Sequence, residues 1–191
     1  MAEGIRIIGG EAGGRYIKTF KNDLSVRPLL GRIKKSIFDI LAAKLPGLLF
    51  LDLYAGTGAV GIEALSRGAK KAVFVDGDRR CAKLIEQNLA ELGWTGRAKV
   101  EQHDITRGLG WLDGKFGIVY MGPPYKDSQK KPLNLTGITL KIVFESGVLD
   151  DNGWIISQRH IKEPVEAPAQ LMAFRQEKYG DTIVVFYRKA E

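Results

Sequence analysis

The segment "LLFLDLYAGTGAVGIEALSRG", residues 48–68, limits the possible folds more than any other stretch. A near-continuous apolar run meets a glycine-rich loop, and a helical pattern starts at once behind it. The same alternation then repeats. Strand "KAVFVD" (71–76) leads to helix "RRCAKLIEQNLAELG", and strand "AKVEQHD" (98–104) to a segment with Gly and Trp. Strand "FGIVYM" (116–121) runs into two prolines, a helix around 135–147 follows, and strand "GWIISQRH" (153–160) comes next. Apolar strands alternating with helices form a mostly parallel twisted sheet with helices on both faces. The expected class is therefore α/β and Rossmann-like. A final strand, "TIVVFYRK" (182–189), follows a connection without clear periodicity and is expected to pair antiparallel.

Ahead of this pattern lies a different one. Residues 4–20 look like two short strands around a Gly-rich turn. In "RPLLGRIKKSIFDILAAKL", Leu30, Ile33, Ile37 and Leu41 recur at three- and four-residue steps, which marks a helix with one buried stripe. Its other face carries Arg32, Lys35 and Asp39. The expected organisation is a hairpin-and-helix extension over 1–45 and a ligand-binding domain over 46–191.

Gly56, Gly58 and Gly61 spell the dinucleotide fingerprint, and Asp76 lies at the end of the next strand, where an acid meets ribose hydroxyls. NAD and S-adenosylmethionine both suit these residues. Asp52 separates them. A carboxylate beside the loop repels a pyrophosphate, whereas it suits the ammonium and sulfonium charges of S-adenosylmethionine. The alternative role for Asp52 is to accept hydrogen bonds from loop amides. Tyr54, Ala55, Gly56, Thr57 and Gly58 are the loop residues expected at the cofactor. Asp78, not Asp76, is placed to cap the helix starting at Arg79. Asp104, closing the third strand, is read equally as an adenine contact and as a cap.

The turn Gly122-Pro123-Pro124-Tyr125 ends the fourth strand of this series. An exocyclic amine is a poor nucleophile because its lone pair is delocalised into the ring. Methylating it requires fixed acceptors for its hydrogens. Locked proline φ angles hold a backbone carbonyl as one such acceptor. An aromatic such as Tyr125 can stack on the base, worth about 1–3 kcal/mol.

The chain has 191 residues and a formal net charge of +7, of which +5 falls within residues 1–45. Clustered Lys and Arg gain free energy by releasing counterions from phosphates, so nucleic acid is the expected partner. The single Cys81 excludes a disulfide framework and, with His103 and His160, makes no convincing metal site. No apolar run is long enough for a membrane span, and no signal peptide opens the sequence, so a cytoplasmic location is expected.

Over its whole length the chain resembles the bacterial 16S ribosomal RNA guanine-N2 methyltransferases. The opening "IRIIGGEAGGRYIKTF" is similar to their N-terminal hairpin, and "VRPLLGRIKKSIFDIL" to their Arg-Pro-Thr-x-x-Arg helix start, with Leu29 in place of threonine. "LDLYAGTGAVGIEALSRGAKKAVFVD" resembles their cofactor segment and "EKYGDTIVVFYR" their closing strand. The resemblance implies a class I methyltransferase that uses S-adenosylmethionine and no metal. Its implied substrate is 16S rRNA within a small ribosomal subunit or an assembly intermediate, and a monomer is expected. Arg15, Lys18, Arg27, Arg32 and Lys35 would face the RNA, with Arg27 and Arg32 near the target or cofactor. Pro123, Pro124 and Tyr125 would be catalytic, together with the backbone at Gly122. Two positions depart from the pattern: Gly122 replaces the Asp of Asp-Pro-Pro-Tyr, and Gly117 replaces a common acid in the preceding strand. A positioned acid-base group contributes about 10²–10⁴-fold, so turnover is where Gly122 matters. N6-adenine methylation, and an RNA-binding homologue weakened in turnover, are the competing readings.

Overall fold

Ile33, Ile37 and Leu41 line the buried side of helix α1 (Gly31–Leu41), joined by Phe38, while Arg32, Lys35 and Asp39 face solvent. Leu30 lies at the helix N-cap and is exposed. The computed structural model describes residues 4–20, 30–127 and 129–190. The chain divides into two compact units, Met1–His103 and Asp104–Glu191.

In the first unit, β1 (Ile5–Arg6) and β2 (Tyr16–Ile17) form the expected antiparallel hairpin, with Ile5 opposite Ile17. Behind it, β3 (Leu49–Leu53), β4 (Lys71–Asp76) and β5 (Ala98–Gln102) are parallel, with β4 in the middle. Helices α2 (Ala59–Ser66) and α3 (Arg79–Leu92) follow β3 and β4. All eight residues of α2 are buried, so no amphipathic stripe marks it. Asp78 caps α3 by accepting from the Arg80 amide at 2.8 Å, and Gly93 closes it at φ 75°.

The third glycine of the loop has a packing reason. A Cβ at Gly61 would lie 2.3 Å from Cε1 of Phe74 on β4. Gly61→Ala therefore forces helix and strand apart, and we expect a loss of about 1–3 kcal/mol in urea unfolding.

The boundary between units does not fall at residue 45, because the hairpin and α1 are bound into the first unit by buried charge. Glu63 of α2 accepts from the amides of Ile8 (2.8 Å) and Gly9 (2.9 Å) of the hairpin. Its carboxylate also pairs with Lys34 of α1 at 2.9 Å and with Arg67 at 2.8 Å. Lys34 Nζ donates in addition to the Arg6 carbonyl at 2.9 Å. Asn88 of α3 accepts from the Lys18 amide and donates to the Lys18 carbonyl, fixing β2's exit.

In the second unit, β6 (Phe116–Met121) is buried throughout and runs parallel to β7 (Leu149–His160). Helix α4 (Leu135–Glu145) connects them. β9 (Thr182–Lys189) is antiparallel to β7, as expected, and β8 (Leu171–Tyr179) is antiparallel to β9. β8 leaves no clear sequence signal because residues 172–176 are all exposed and show no apolar alternation. Together the pairings give an α/β fold whose strands are mostly parallel up to β7.

Candidate active site

Between β3 and α2 the backbone enters the left-handed region three times, at Tyr54 (φ 58°), Gly56 (φ 56°) and Gly58 (φ 77°). The glycines adopt it freely. For a bulky residue such as Tyr54 it is uncommon and persists only where surrounding contacts impose it, as at ligand clamps.

Two carboxylates hold this loop. Asp76, at the end of β4, accepts from the Gly56 amide at 2.8 Å and from the Asp78 amide at 2.9 Å. Asp52, on β3, accepts from the Gly61 amide at 2.8 Å. The amide-accepting role of Asp52 is thus present in the structure, with its partner in the first turn of α2 rather than in the loop. Its second oxygen, Oδ1, is buried and has no hydrogen-bond partner among the described residues. Burial pushes the Asp52 carboxyl well above the usual range; the Gly61 amide opposes this, and the charge of Asp76 adds to it. Burial raises Asp76 as well, against the amides of Asp78 and Gly56. Thr57 is buried, and its carbonyl accepts from Asn88 at 3.3 Å. Ala55 is bound to β4 through its amide and the Val75 carbonyl at 3.2 Å.

Asp104 is exposed and caps the short 3-10 turn Ile105–Arg107, accepting from the Thr106 amide (3.0 Å) and hydroxyl (2.7 Å).

In the second unit, β6 delivers Gly122 half-buried, Pro123 buried, Pro124 exposed and Tyr125 half-buried. Tyr125 is held on two sides. Its hydroxyl accepts from Nε2 of Gln158 on β7 at 3.0 Å, and His160 meets its ring edge-on at 5.9 Å between centroids. Gln158 Oε1 in turn accepts from the Tyr120 hydroxyl at 2.6 Å. After Tyr125 the chain folds back, with the Leu133 amide donating to the Tyr125 carbonyl at 3.1 Å. Asp127 gathers the amides of Gln129 and Lys131, which leaves Lys126, Lys130 and Lys131 exposed around the turn.

Of the residues expected to face RNA, Arg15, Lys18, Arg32 and Lys35 are exposed in the first unit. Lys18 pairs with Glu91, and Lys35 lies 2.6 Å from Asp39. Arg15 donates to the Glu91 carbonyl at 3.1 Å. Arg27 lies outside the described residues. Among the described residues no group of three or more His, Cys, Asp or Glu is placed to hold a metal ion. No helix among them is long and apolar enough to cross a membrane.

Residues 5–188 match the family described as "Conserved hypothetical protein 95". The chain belongs to this family. It is 34% identical over 190 residues to the Bacillus subtilis protein named "Putative rRNA methyltransferase YlbH", covering 97% of this chain and 99% of that one. To "Ribosomal RNA small subunit methyltransferase D" of Escherichia coli strain K12 it is 29% identical over 193 residues, with 97% and 90% covered. Among solved structures it resembles "Putative methyltransferase yhhF" from Escherichia coli, with a TM-score of 0.81, 28% identity, and 98% and 99% covered. The α/β fold is that of the class I methyltransferases, and the chain is a methyltransferase of this family.

Three residues, in two separate places, carry no local sequence pattern that marks their contacts. Gln158 lies in a polar strand end, Ser157-Gln158-Arg159-His160, with nothing local to single it out. Tyr120 looked like one more apolar position in "FGIVYM". Lys34 lies between buried Ile33 and exposed Lys35 on α1, and nothing local marks it as buried.

Proposed function

We propose that this protein methylates the exocyclic N2 amine of a guanine in small-subunit (16S) ribosomal RNA, with S-adenosylmethionine as donor. The observation that carries the reading is the family match over residues 5–188, whose named relatives above are rRNA methyltransferases. The glycine loop fits the donor. Its backbone opens at three left-handed residues, and the buried, unpartnered Oδ1 of Asp52 offers an acceptor or a countercharge to a cationic ligand. Asp76 retains lone pairs for ribose hydroxyls. Bound there, S-adenosylmethionine supplies a methyl group on a positively charged sulfur. Tyr125 stacks on the target base, and the carbonyl of the turn fixed by Pro123 and Pro124 accepts from its amine. Arg15, Lys18, Arg27, Arg32 and Lys35 contact RNA phosphates. In the second unit, Lys126, Lys130 and Lys131 are exposed on the turn that carries Tyr125.

Labelled S-adenosylmethionine incubated with undermethylated small-subunit particles should yield N2-methylguanosine, identified by mass spectrometry of the nucleosides. N6-methyladenosine in its place redirects the substrate. Absence of transfer by folded, cofactor-binding protein overturns the reading.

Asp52 gives a second test. Its carboxyl is raised in the ligand-free protein, so the carboxylate costs stability increasingly as pH rises above the usual aspartate range through the raised value. A cationic ligand favours the carboxylate and draws that value down. Cofactor binding should therefore release protons below the raised value. Calorimetry in buffers of different ionisation enthalpy reads this release, and Asp52→Asn should diminish it.

A further inference from the structure

Gly122 stands where the resembled pattern has an acid, and the strand just before it contains a reason. A Cβ built at Gly122 would lie 3.1 Å from the Tyr120 hydroxyl oxygen, with Cε1 and Cζ at 3.5 and 3.6 Å. Tyr120 cannot retreat at no cost. Its side chain is buried, and its hydroxyl is committed to Gln158 at 2.6 Å. The chemistry of the amide sets the direction of the chain of bonds. Gln158 Oε1 can only accept, so Tyr120 donates; Nε2 can only donate, so Tyr125 accepts. The link therefore runs Tyr120 to Gln158 to Tyr125, and it leaves Tyr125 its own hydroxyl proton to offer elsewhere.

We propose that Tyr120 is a positioning residue that goes with Gly122: through Gln158 it fixes the ring of Tyr125, and it occupies room that an acidic side chain at 122 would need. The proposal rests on the reading of the Pro-Pro-Tyr turn as the platform for the target base. With no acid to hold the amine, orientation of the base falls more heavily on Tyr125. A ring held by a hydrogen bond at its hydroxyl and by a T-shaped contact with His160 has fewer orientations to lose on stacking. Positions 120 and 122 then act as a pair. An acid at 122 is useful only when the hydroxyl at 120 is gone.

The kinetic test uses full-length protein, undermethylated small-subunit particles and S-adenosylmethionine. Tyr120→Phe and Gln158→Leu should each lower kcat about fivefold to tenfold, the worth of one such bond. KM for S-adenosylmethionine should stay unchanged. Combining the two should cost no more than either alone, because both break one relay. Gly122→Asp should fail to raise kcat in the presence of Tyr120 and should raise it about tenfold or more in the Tyr120→Phe background. Multiplicative losses in the double variant, or an equal gain from Gly122→Asp in both backgrounds, overturn the proposal. A second measurement needs no substrate. NMR of the Gln158 side-chain amide should show proton exchange about tenfold faster in Tyr120→Phe than in the wild type, and unchanged exchange counts against the relay. If the wild type methylates no guanine while this exchange responds, the substrate assignment fails and the relay stands. An active wild type with unmoved exchange leaves the substrate assignment intact and removes the relay.

Discussion

Glu63→Ala lowers the unfolding free energy by about 3–5 kcal/mol, because it leaves the Lys34 ammonium buried without its carboxylate. The side chains of Glu63 and Lys34 are 0% and 2% exposed, so water cannot replace the lost partner. The same change strands the amides of Ile8 and Gly9. Burial works to raise the Glu63 carboxyl, but the Ile8 amide, Lys34 and Arg67 outweigh it and hold it below the usual glutamate range. The sign follows. Its contribution is fully present above the usual glutamate value and disappears as pH falls through the lowered one. Urea unfolding of wild type and Glu63→Ala at neutral and acid pH measures both effects, and the difference between the two proteins should shrink in acid. Lys34→Met combined with Glu63→Leu should recover much of the loss, since an apolar pair of similar volume avoids the cost of burying charge.

Asp76→Ala weakens S-adenosylmethionine binding by about 100-fold, or ~3 kcal/mol. The Gly56 amide of the loop and the Asp78 amide at the start of α3 lose the carboxylate that accepts from them, and each such bond to a charged group is worth about 1.5–3 kcal/mol. The loop loses its shape together with the proposed ribose acceptor. Titration calorimetry gives the affinity, and a thermal melt of the ligand-free variant shows whether the fold persists. A variant that stays folded and binds within threefold of wild type would remove Asp76 from the cofactor site.

The parts of this fold that the sequence made legible are those governed by local rules. β4 and β6 occupy the residues expected of them, 71–76 and 116–121, because β6 is buried throughout and β4 over most of its apolar centre, residues 72–75, and such parallel strands appear as apolar runs. Asp78 was recognisable as a cap because capping is set by a few neighbouring residues. β8 was not legible, since Met172, Ala173 and Phe174 are consecutive apolar residues followed by the polar run 175–178, which shows no alternation. The first half of β7 was hidden for a related reason. "LDDNG" reads as a turn, yet the strand begins at Leu149, and its pairing with β6 shifts register between Phe116 and Ile118. In the candidate site, the glycine loop and its acids follow sequence spacing. The Gln158 bond to Tyr125 joins residues 33 positions apart and depends on how β6 and β7 align, which no local pattern records.

The Glu63 carboxylate reaches backward to a segment made 55 residues earlier, by way of the Ile8 amide. During synthesis the hairpin therefore emerges well before the group that will hold it, and it has to wait for α2. Transplanting the hairpin between relatives should accordingly work as a keyed fit. A donor hairpin will seat where the host supplies a carboxylate at position 63 and an ammonium at 34, and it will stay loose where either is missing, however similar the rest of the surface.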